Sequence, residues 1–329
     1  MTILVTGGAG YIGSVTVETL INRGYDVVVL DNLVTGHRAA VHPQAAFVQA
    51  DIQDRMAVGK AIQYYGVEAV LHFAAFSLVG ESMQNPFKYF ENNSVGTTHF
   101  LQTLLENGVS RFVLSSTAAL FGTPKRVPID EDAMIQPGSV YGESKYLIER
   151  VLHWLSQTQD FRYVSLRYFN AAGASATYGE DHRPESHLIP LILEVARGKR
   201  DKVSIFGDDY DTPDGSCVRD YVHVQDLAEA HVLALESLAS GAASNVYNLG
   251  SGQGYSVKEV IDTCRTVTGH VIPVEMAPKR AGDPAVLIAD SSRIRSELGW
   301  SPKFDDLEAL VKSAWTWFQA HPQGYAQTR

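Results

Sequence analysis

The sequence has few cysteines and no long apolar run, and each shortage excludes a class of protein. Its 329 residues include two cysteines, Cys217 and Cys264, which lie far apart and lack the spacing of metal ligands. We therefore predict no disulfide scaffold, no metal site and a reducing, cytoplasmic environment. No apolar run approaches the roughly 18 residues of a membrane span. The N-terminus also lacks the basic and apolar regions of a secretory signal, so we expect no membrane or export segment.

Positive charge is also scarce. The chain carries 27 Lys and Arg against 37 Asp and Glu, a formal net charge of −10. Proteins that bind nucleic acid usually show a basic surplus, so we expect no nucleic-acid partner. An acidic chain can still bind an anion where backbone amides and arginines surround it locally.

Short apolar runs alternate with helix-like segments through the first half of the chain. Residues 3–6, 26–30, 45–50, 69–74 and 111–116 have the pattern of buried strands, and residues 11–23, 55–65 and 87–107 that of helices. A helix over 141–159 and a strand over 163–168 continue the series. This alternation predicts an α/β fold, a Rossmann-type doubly wound parallel sheet with helices on both faces.

The pattern changes after Asn170. Residues 171–186 and 207–216 are polar and loop-like, and helices are predicted near 187–198, 226–239, 256–268 and 305–319. Residues 245–250 have the pattern of one more buried strand. We therefore predict a first domain over residues 1–170, with some later segments returning to it, and a smaller C-terminal α/β lobe over residues 171–329.

A glycine cluster follows the first predicted strand and opens the first predicted helix. Residues 8–13, GAGYIG, match GxGxxG in the context that a dinucleotide-binding turn requires. Glycines there allow a tight turn, close approach of a pyrophosphate and close helix packing, while the helix N-terminus offers amides to the phosphates. Asp31 ends the second strand, where a carboxylate binds ribose hydroxyls and repels a 2′-phosphate, which favours NAD. Asp51 and Ile52, after the third strand, are expected to border the adenine.

Tyr141 and Lys145 form a second constellation. Residues four apart on a helix share one face, and an ammonium beside a phenol favours the phenolate. The positive nicotinamide ring would act in the same direction, so we expect Tyr141 to serve as a base near neutral pH. Residues 115–117, Ser-Ser-Thr, end the preceding strand, and one of their hydroxyls is expected to share a hydrogen bond with a substrate alcohol. His72 and His223 lie in apolar stretches and are predicted to be hydrogen-bonded core histidines.

These motifs together resemble the extended short-chain dehydrogenase/reductase superfamily. Within it, a series of motifs along the whole chain resembles the family of UDP-glucose 4-epimerases. The series is TGGAGYIGS, LDNL, VGES, YGESK, LRYFNAAGA, IFGDDYDTPDG, VRDYVHVQDLA, YNLGSG and HPQGY. The resemblance implies an isomerase of galactose metabolism, active as a homodimer. Such an enzyme interconverts UDP-glucose and UDP-galactose through a transient 4-keto sugar and keeps NAD tightly bound.

The resemblance also implies roles for individual residues. Tyr141 would be the catalytic base, Lys145 its electrostatic partner, and Thr117 the hydroxyl at a position where most members have serine. The implied NAD contacts are Gly7, Gly10, Tyr11, Ile12, Gly13, Asp31, Asn32, Asp51, Ile52, Phe73, Ala74, Asn92, Tyr141, Lys145 and Tyr168. The implied UDP-sugar contacts are Thr117, Tyr141, Asn170, His187, Leu188, Ser204, Phe206, Arg219, Arg280, Asp283 and Leu287.

Among the implied substrate contacts, Arg219 and Arg280 would pair with the diphosphate, because a guanidinium fork suits phosphate oxygens. Ser204 and Phe206 would flank the uracil. One position departs from the family pattern. Ser77 stands where well-known members have a lysine that contacts cofactor phosphate.

Three alternatives accompany this interpretation. A 4-epimerase of another UDP-sugar, such as UDP-N-acetylglucosamine, a pentose or a uronate, would share the same motifs. In the family that the chain resembles, a bulky residue at the sugar end of the pocket limits N-acetylated sugars. The resemblance places Leu287 at that position, and its intermediate size implies some activity on the N-acetylated substrate. A nucleotide-sugar 4,6-dehydratase would need Asp-Glu directly after Thr117, where this chain has Ala118 and Ala119. A non-catalytic NAD sensor would need neither Tyr141 nor Lys145.

Overall fold

A seven-stranded parallel sheet organises the first half of the chain in the computed structural model, which describes residues 1–280 and 282–325. Numbered in chain order over the whole molecule, its strands are β1 (Thr2–Thr6), β2 (Asp26–Asp31), β3 (Ala46–Gln49), β4 (Val67–His72), β5 (Arg111–Thr117), β6 (Arg162–Tyr168) and β10 (Asn245–Leu249). Their spatial order is β10-β6-β5-β4-β1-β2-β3. The strand predicted over residues 245–250 therefore returns to the first sheet, beside β6.

Helices cover both faces of this sheet, as predicted. Helices α1 (Tyr11–Asn22) and α8 (Val224–Ala239) cover one face, and α2 (Arg55–Tyr65), α5 (Thr97–Glu106) and α6 (Val140–Thr158) cover the other. Successive strand residues point to opposite faces, so Ile3 and Val5 pack in the first core and Leu4 in the second. Because both faces are buried, the strands are continuously apolar, which is the pattern that identified them.

The helix predicted over residues 87–107 is interrupted. The structure has α3 (Val79–Gln84), α4 (Pro86–Tyr89), a π-helical segment (Phe90–Gly96) and then α5. The Asn93 side chain in the π-helical segment accepts a hydrogen bond from the Phe76 amide and donates one to the Phe76 carbonyl, both at 2.9 Å. This contact ties the wide turn to the chain just after β4. Apolar spacing is nearly continuous through the segment, so periodicity did not reveal it.

The second lobe has two small sheets and its own apolar core. In the first sheet β9 (Val218–His223) pairs with β7 (Asn170–Ala172), β11 (Gly254–Ser256) and β13 (Val286–Leu287), and in the second β8 (Val203–Phe206) pairs with β12 (Val274–Ala277). Its helices are α7 (Leu188–Ala196), α9 (Val257–Thr268), α10 (Ser292–Leu298) and α11 (Leu307–Ala320). Ile192, Val260 and Leu310 are among the buried residues of the core between α7, α9 and α11. Six of these strands were not predicted, because two to six residues carry too little periodicity.

The functional crevice lies where the strand order turns. From β1 the chain continues to β2 and β3 on one side and crosses to β4, β5 and β6 on the other, so the carboxyl ends of β1 and β4 diverge. A cavity of about 510 Å³ opens there. In the part of the chain that the structure describes, we find no helix with the length and apolar character needed to cross a membrane.

Candidate active site

The glycine loop forms one wall of the cavity and leaves no room for side chains. Gly7 has φ +70°, and a Cβ there would lie 2.7 Å from the Ala74 amide nitrogen. A Cβ on Gly13 would overlap the Gly7 carbonyl oxygen, so close packing of α1 on the loop requires glycine. Gly10 precedes α1, and among the described residues no side chain caps the first amides of that helix. The loop therefore presents backbone amides at a helix N-terminus, an arrangement that suits a pyrophosphate.

Asp31 joins the glycine loop to the end of β2. Its carboxylate accepts hydrogen bonds from the Ala9 amide at 3.0 Å and the Leu33 amide at 2.8 Å, and it lines the cavity. Burial raises the pKa of Asp31, and the two amide hydrogen bonds counteract the rise. Gly36, which sequence reasoning missed, packs so closely that a Cβ would lie 2.9 Å from an Asp31 oxygen. The carboxylate is thus held rigidly at the place expected for a ribose contact.

Tyr141 and Lys145 face the cavity from the first two turns of α6. The Ser139 hydroxyl caps this helix by accepting a hydrogen bond from the Gly142 amide at 3.1 Å. The Lys145 ammonium donates to the Ser115 carbonyl at the end of β5, at 2.9 Å. Thr117, two residues further along β5, lines the same cavity as Tyr141, and its hydroxyl accepts a hydrogen bond from the Ala119 amide at 3.1 Å. The structure therefore brings the three predicted catalytic residues together.

Of the three strand-end hydroxyls, only two face the cavity. Ser115 and Thr117 lie on the same side of β5 and line the cavity. Ser116 points to the opposite side, where its hydroxyl donates to Glu149 Oε1 at 2.6 Å. The Ser115 hydroxyl pairs with the Tyr168 hydroxyl at 2.7 Å. This leaves Thr117 as the hydroxyl beside Tyr141.

The protein environment alone does not produce the expected low pKa of the phenol. Burial raises the pKa of Tyr141, although the nearby Thr117 hydroxyl lowers it in part. Burial also lowers the pKa of Lys145 to about 8, against an opposing influence of the Glu149 charge. The ammonium is itself desolvated and directed at a carbonyl, so it compensates the buried phenolate only partly. A base at Tyr141 therefore needs further positive charge in the cavity.

The other predicted cofactor contacts gather around the same crevice. Asn32 donates to an Asp51 carboxylate oxygen at 2.8 Å, which places both side chains at the carboxyl end of β2. The cavity wall also includes Gly10, Tyr11, Ile12, Ile52, Phe73, Ala74, Asn92 and Tyr168.

The predicted substrate contacts fall into two groups. Asn170, His187, Arg219 and Leu287 line the cavity, together with Thr117 and Tyr141. The remaining described members of the set, which do not line it, are Leu188, Ser204, Phe206, Arg280 and Asp283.

The second group connects to the cavity through an ion pair. The Arg219 guanidinium lies 2.5 Å from an Asp283 carboxylate oxygen. The Arg280 guanidinium lies 3.9 Å from the centre of the Phe206 ring. The Ser204 hydroxyl donates to Glu275 at 2.9 Å. Arg219 is thus paired with Asp283 and Arg280 with Phe206, whereas the Ser204 hydroxyl is bonded to Glu275.

Sequence reasoning missed several residues of the cavity wall. Lys88 donates to Glu81 at 2.7 Å and lies 4.1 Å from the centre of the Phe76 ring, near Ser77. It brings a positive charge to the side of the cavity where the family lysine is replaced by serine. No spacing pattern pointed to it. Glu180, His182 and Arg183 also line the cavity, and the alternation of acid and histidine in this stretch was a signal that went unused.

Comparison with known proteins gives independent evidence about the family to which the chain belongs. The model of the NAD dependent epimerase/dehydratase family matches residues 3–250. A UDP-glucose 4-epimerase of Halalkalibacterium halodurans is 52% identical over 328 residues, which cover 99% of this chain and 98% of that protein. A solved UDP-glucose 4-epimerase is 49% identical and superposes with a TM-score of 0.97, covering 99% of this chain and 100% of its own. The UDP-glucose 4-epimerase from Bifidobacterium longum, in complex with NAD+ and UDP, is 36% identical with a TM-score of 0.93, covering 99% and 100%.

Proposed function

The chain belongs to the NAD dependent epimerase/dehydratase family, and from this membership we propose that it interconverts UDP-glucose and UDP-galactose as an NAD-dependent isomerase. The observation that carries the proposal is the order of groups along one cavity. The glycine loop follows β1 and Asp31 ends β2, Tyr141 and Lys145 lie beside the end of β5, and Arg219 comes from β9 of the second lobe, and all of them line the one cavity. That order matches a dinucleotide, a reacting sugar and a diphosphate.

The glycine loop fits NAD. The space that a Cβ would fill at Gly7 and Gly13, together with the first amides of α1, suits the pyrophosphate, and Asp31 suits the adenosine ribose. NAD held there would supply hydride chemistry at C4 of the sugar, an oxidation to the 4-keto sugar that is then reversed from the opposite face. We assign the contacts to Gly7, Gly10, Tyr11, Ile12, Gly13, Asp31, Asn32, Asp51, Ile52, Phe73, Ala74, Asn92, Tyr141, Lys145 and Tyr168.

The chain's own catalytic residues move one proton. The Tyr141 phenolate takes the proton of the sugar 4-hydroxyl and gives it back after the ketone has turned over. Thr117, which lines the cavity with Tyr141, would orient that hydroxyl by a hydrogen bond to the substrate. Lys145, fixed by the Ser115 carbonyl, would hold positive charge near the phenolate and would donate to the nicotinamide ribose. The residues thus bind and orient, and the reaction has no net redox change.

The substrate side holds UDP and leaves the hexose free to turn. Arg219 and Arg280 bind the diphosphate, Phe206 and Ser204 flank the uracil, and Asp283 contacts a ribose hydroxyl. The remaining contacts that we propose are Thr117, Tyr141, Asn170, His187, Leu188 and Leu287. A ketone that must present both faces needs strong contacts on the nucleotide and weak contacts on the sugar.

A second substrate is favoured by one observation. Leu287 lines the cavity and packs on the apolar cluster that contains Ala118, and we propose that its intermediate size leaves space for an N-acetyl group. We therefore expect measurable epimerisation of UDP-N-acetylglucosamine as well. A kcat/KM on that substrate equal to background would exclude it. The dehydratase alternative loses support, because Ala118 and Ala119, directly after Thr117, offer no acid or base.

The domain organisation, the assembly and the location of the protein belong to the same proposal. Residues 1–170, with β10 and α8, would bind NAD, and residues 171–329, of which Ala281 and 326–329 lie outside the described residues, would supply the UDP-sugar lobe. Exposed apolar side chains on α3, α4 and α6, namely Met83, Phe87, Leu147 and Trp154, support a homodimer. Light scattering should then give a dimer mass.

We propose that the protein is located in the cytoplasm. Two buried free thiols, Cys217 and Cys264, suit that reducing compartment, and cell fractionation would test the location.

The test is turnover with the cofactor as isolated. Purified protein incubated with UDP-glucose should form UDP-galactose without added NAD, and NAD should remain in the protein after gel filtration. Any NADH that forms, measured by its absorbance, should remain in the protein fraction throughout the reaction. Rapid release of NADH with stoichiometric accumulation of the 4-keto sugar would contradict the proposal, since that outcome describes a dehydrogenase.

A further inference from the structure

Four side chains at the rim of the cavity converge on one point. Glu180, His182, Glu185 and His187 lie on the segment between β7 and α7, and their ligand atoms all lie within 4.8 Å of one another. Glu180 Oε1 lies 3.0 Å from His182 Nδ1 and 2.7 Å from His187 Nδ1. Glu185 lies 3.7 Å from His182 Nδ1 and 3.2 Å from His187 Nδ1. The segment folds back so that both histidines face both carboxylates.

These separations are those of a coordination sphere. A tetrahedral zinc ion with bonds of 2.0–2.1 Å separates its ligand atoms by about 3.3 Å. The four measured distances, from 2.7 to 3.7 Å, bracket that value. Two imidazole nitrogens and two carboxylate oxygens are also a donor set that zinc and its first-row neighbours accept, whereas magnesium and calcium prefer oxygen alone.

Two buried atoms of the cluster lie within ion-pair distance of each other but form no aligned hydrogen bond. Glu180 has a side chain only 5% exposed, yet within the described residues its Oε1 and the Nδ1 of His182 have no hydrogen-bond partner. The two atoms are close but not aligned for a hydrogen bond. Lone pairs directed at a shared cation, rather than at each other, account for both facts.

Backbone contacts hold one ligand in place. Glu185, whose side chain is 7% exposed, accepts hydrogen bonds from the Ser186 amide at 2.6 Å and the His187 amide at 2.8 Å through the same oxygen. Such outer contacts fix the direction of a metal-ligating carboxylate. Two buried carboxylates that face each other need a positive charge between them, which the two histidines, when protonated, or one divalent cation can supply. The cluster is therefore a built site with a fixed ligand, and a divalent cation would neutralise it.

We propose that Glu180, His182, Glu185 and His187 bind one divalent cation of the zinc class. Four protein ligands close the coordination sphere, so the ion has a structural role and activates no water. The His182 ring packs edge-on against Tyr11 at 6.2 Å, and Tyr11 belongs to the first turn of α1. The ion thus fastens the segment between β7 and α7 beside the cofactor end of the cavity. Sequence analysis predicted no metal site, because it considered only the spacing of the cysteines.

Cobalt titration of the full chain, isolated with its cofactor and treated with a chelator, tests the proposal. About one Co²⁺ per chain should bind and give the visible absorption bands of tetrahedral coordination, and equimolar Zn²⁺ should displace them. Glu185→Gln keeps the shape of the side chain but removes its charge, so it should weaken zinc binding at least about tenfold. His270→Asn, at an exposed histidine outside the cluster, should leave zinc binding unchanged.

Other outcomes would overturn the proposal. If wild-type protein gives no tetrahedral cobalt bands, the four side chains form ion pairs only. If the bands persist undiminished in the double variant His182→Asn, Glu185→Gln, the metal binds elsewhere. The wild-type titration is decisive by itself, so the result stands even if a variant folds poorly. The readout is spectroscopic and does not depend on epimerase activity, and its failure would leave the proposed function untouched.

Discussion

One end of the cavity is formed mainly by backbone atoms and the other mainly by side chains. The cofactor end consists mainly of backbone, namely the glycine loop around Gly7 and Gly13 and the first amides of α1, with Asp31 held by two amides. The substrate end consists of long side chains such as Arg219, whose carboxylate partner Asp283 is 64 residues away. A backbone site has little freedom to rearrange, whereas a side-chain site can adapt. That difference suits a reaction in which the cofactor stays and the sugar turns.

The largest effect is expected at the junction of the two ends. Tyr141→Phe removes the phenol that moves the proton but leaves the ring in place, so kcat should fall by about 10²- to 10⁴-fold. The NAD content of the purified variant should match that of the wild type, because the backbone end of the cavity is intact. Turnover assays and NAD quantification on the same preparation measure both.

Tyr146→Phe is the matched control, since Tyr146 lies on the same helix α6, away from the cavity. It should leave both quantities unchanged. If Tyr141→Phe retained more than a tenth of wild-type kcat, Tyr141 would not be the base. Equal losses of kcat and NAD would show instead that the two ends of the cavity are not separable.

The backbone end should tolerate no added atoms. Gly13→Ala places a methyl group on the Gly7 carbonyl, and such overpacking costs about 1–3 kcal/mol. If this free energy is lost from cofactor binding by the glycine loop, NAD retention should weaken roughly five- to hundredfold. In helix α2, by contrast, a Cβ on Gly59 would meet nothing closer than 3.5 Å.

Gly59→Ala should therefore keep NAD and gain about 0.5–1 kcal/mol in the free energy of unfolding, because alanine favours the helix. Urea unfolding and NAD content after gel filtration distinguish the two variants. If Gly13→Ala retained NAD and stability like the wild type, the loop would be less rigid than its packing indicates.

The side-chain end should lose affinity without losing the cofactor. Arg219→Gln removes a charged contact to the diphosphate, worth about 1.5 kcal/mol or more, so the KM for UDP-glucose should rise about tenfold or more. NAD content should not change. Arg150→Gln, an exposed arginine on α6, is the control and should leave KM as it is. An unchanged KM in Arg219→Gln would remove Arg219 from the substrate site.

The same difference between a backbone end and a side-chain end explains which parts of the site could be predicted from the sequence. Glycine spacing is local, so the loop, helix α1 and Asp31 were predicted from the residues themselves, and Tyr141 and Lys145 from one helical turn. Arg219 and Asp283 meet only through the fold, because they come from β9 and the segment before β13. No pattern links two such distant positions, so the substrate end was predicted through resemblance alone. The convergence of Glu180 and His187 depends on a loop conformation, which spacing does not determine.

The smallest effect is expected on the free energy of unfolding in acid, where a buried histidine near each end of the cavity contributes. Each of these histidines has both ring nitrogens hydrogen-bonded, as predicted for core histidines. His72 lies between Thr6 and Thr97 in the large sheet, and His223 contacts Ser313 and the Gln225 amide at the end of β9. Burial lowers the pKa of His72 to about 3 and that of His223 to about 4. Because the unfolded chain binds a proton near pH 6.5 and the folded chain does not, stability falls as pH decreases through the window between about 6.5 and 4.

His223→Asn should remove one of the groups that bind a proton on unfolding, so stability should depend less on pH. The asparagine side-chain oxygen can still cap α8. The slope of unfolding free energy against pH between 6.5 and 4 should then decrease by at most about 1.4 kcal/mol per pH unit. Urea titrations across this range measure the slope, and His99→Asn, at an exposed histidine on α5, should leave it unchanged. A wild-type slope in His223→Asn would mean that His223 gains its proton without unfolding, so that the small sheet of the substrate end accommodates a buried charge that the large sheet would not.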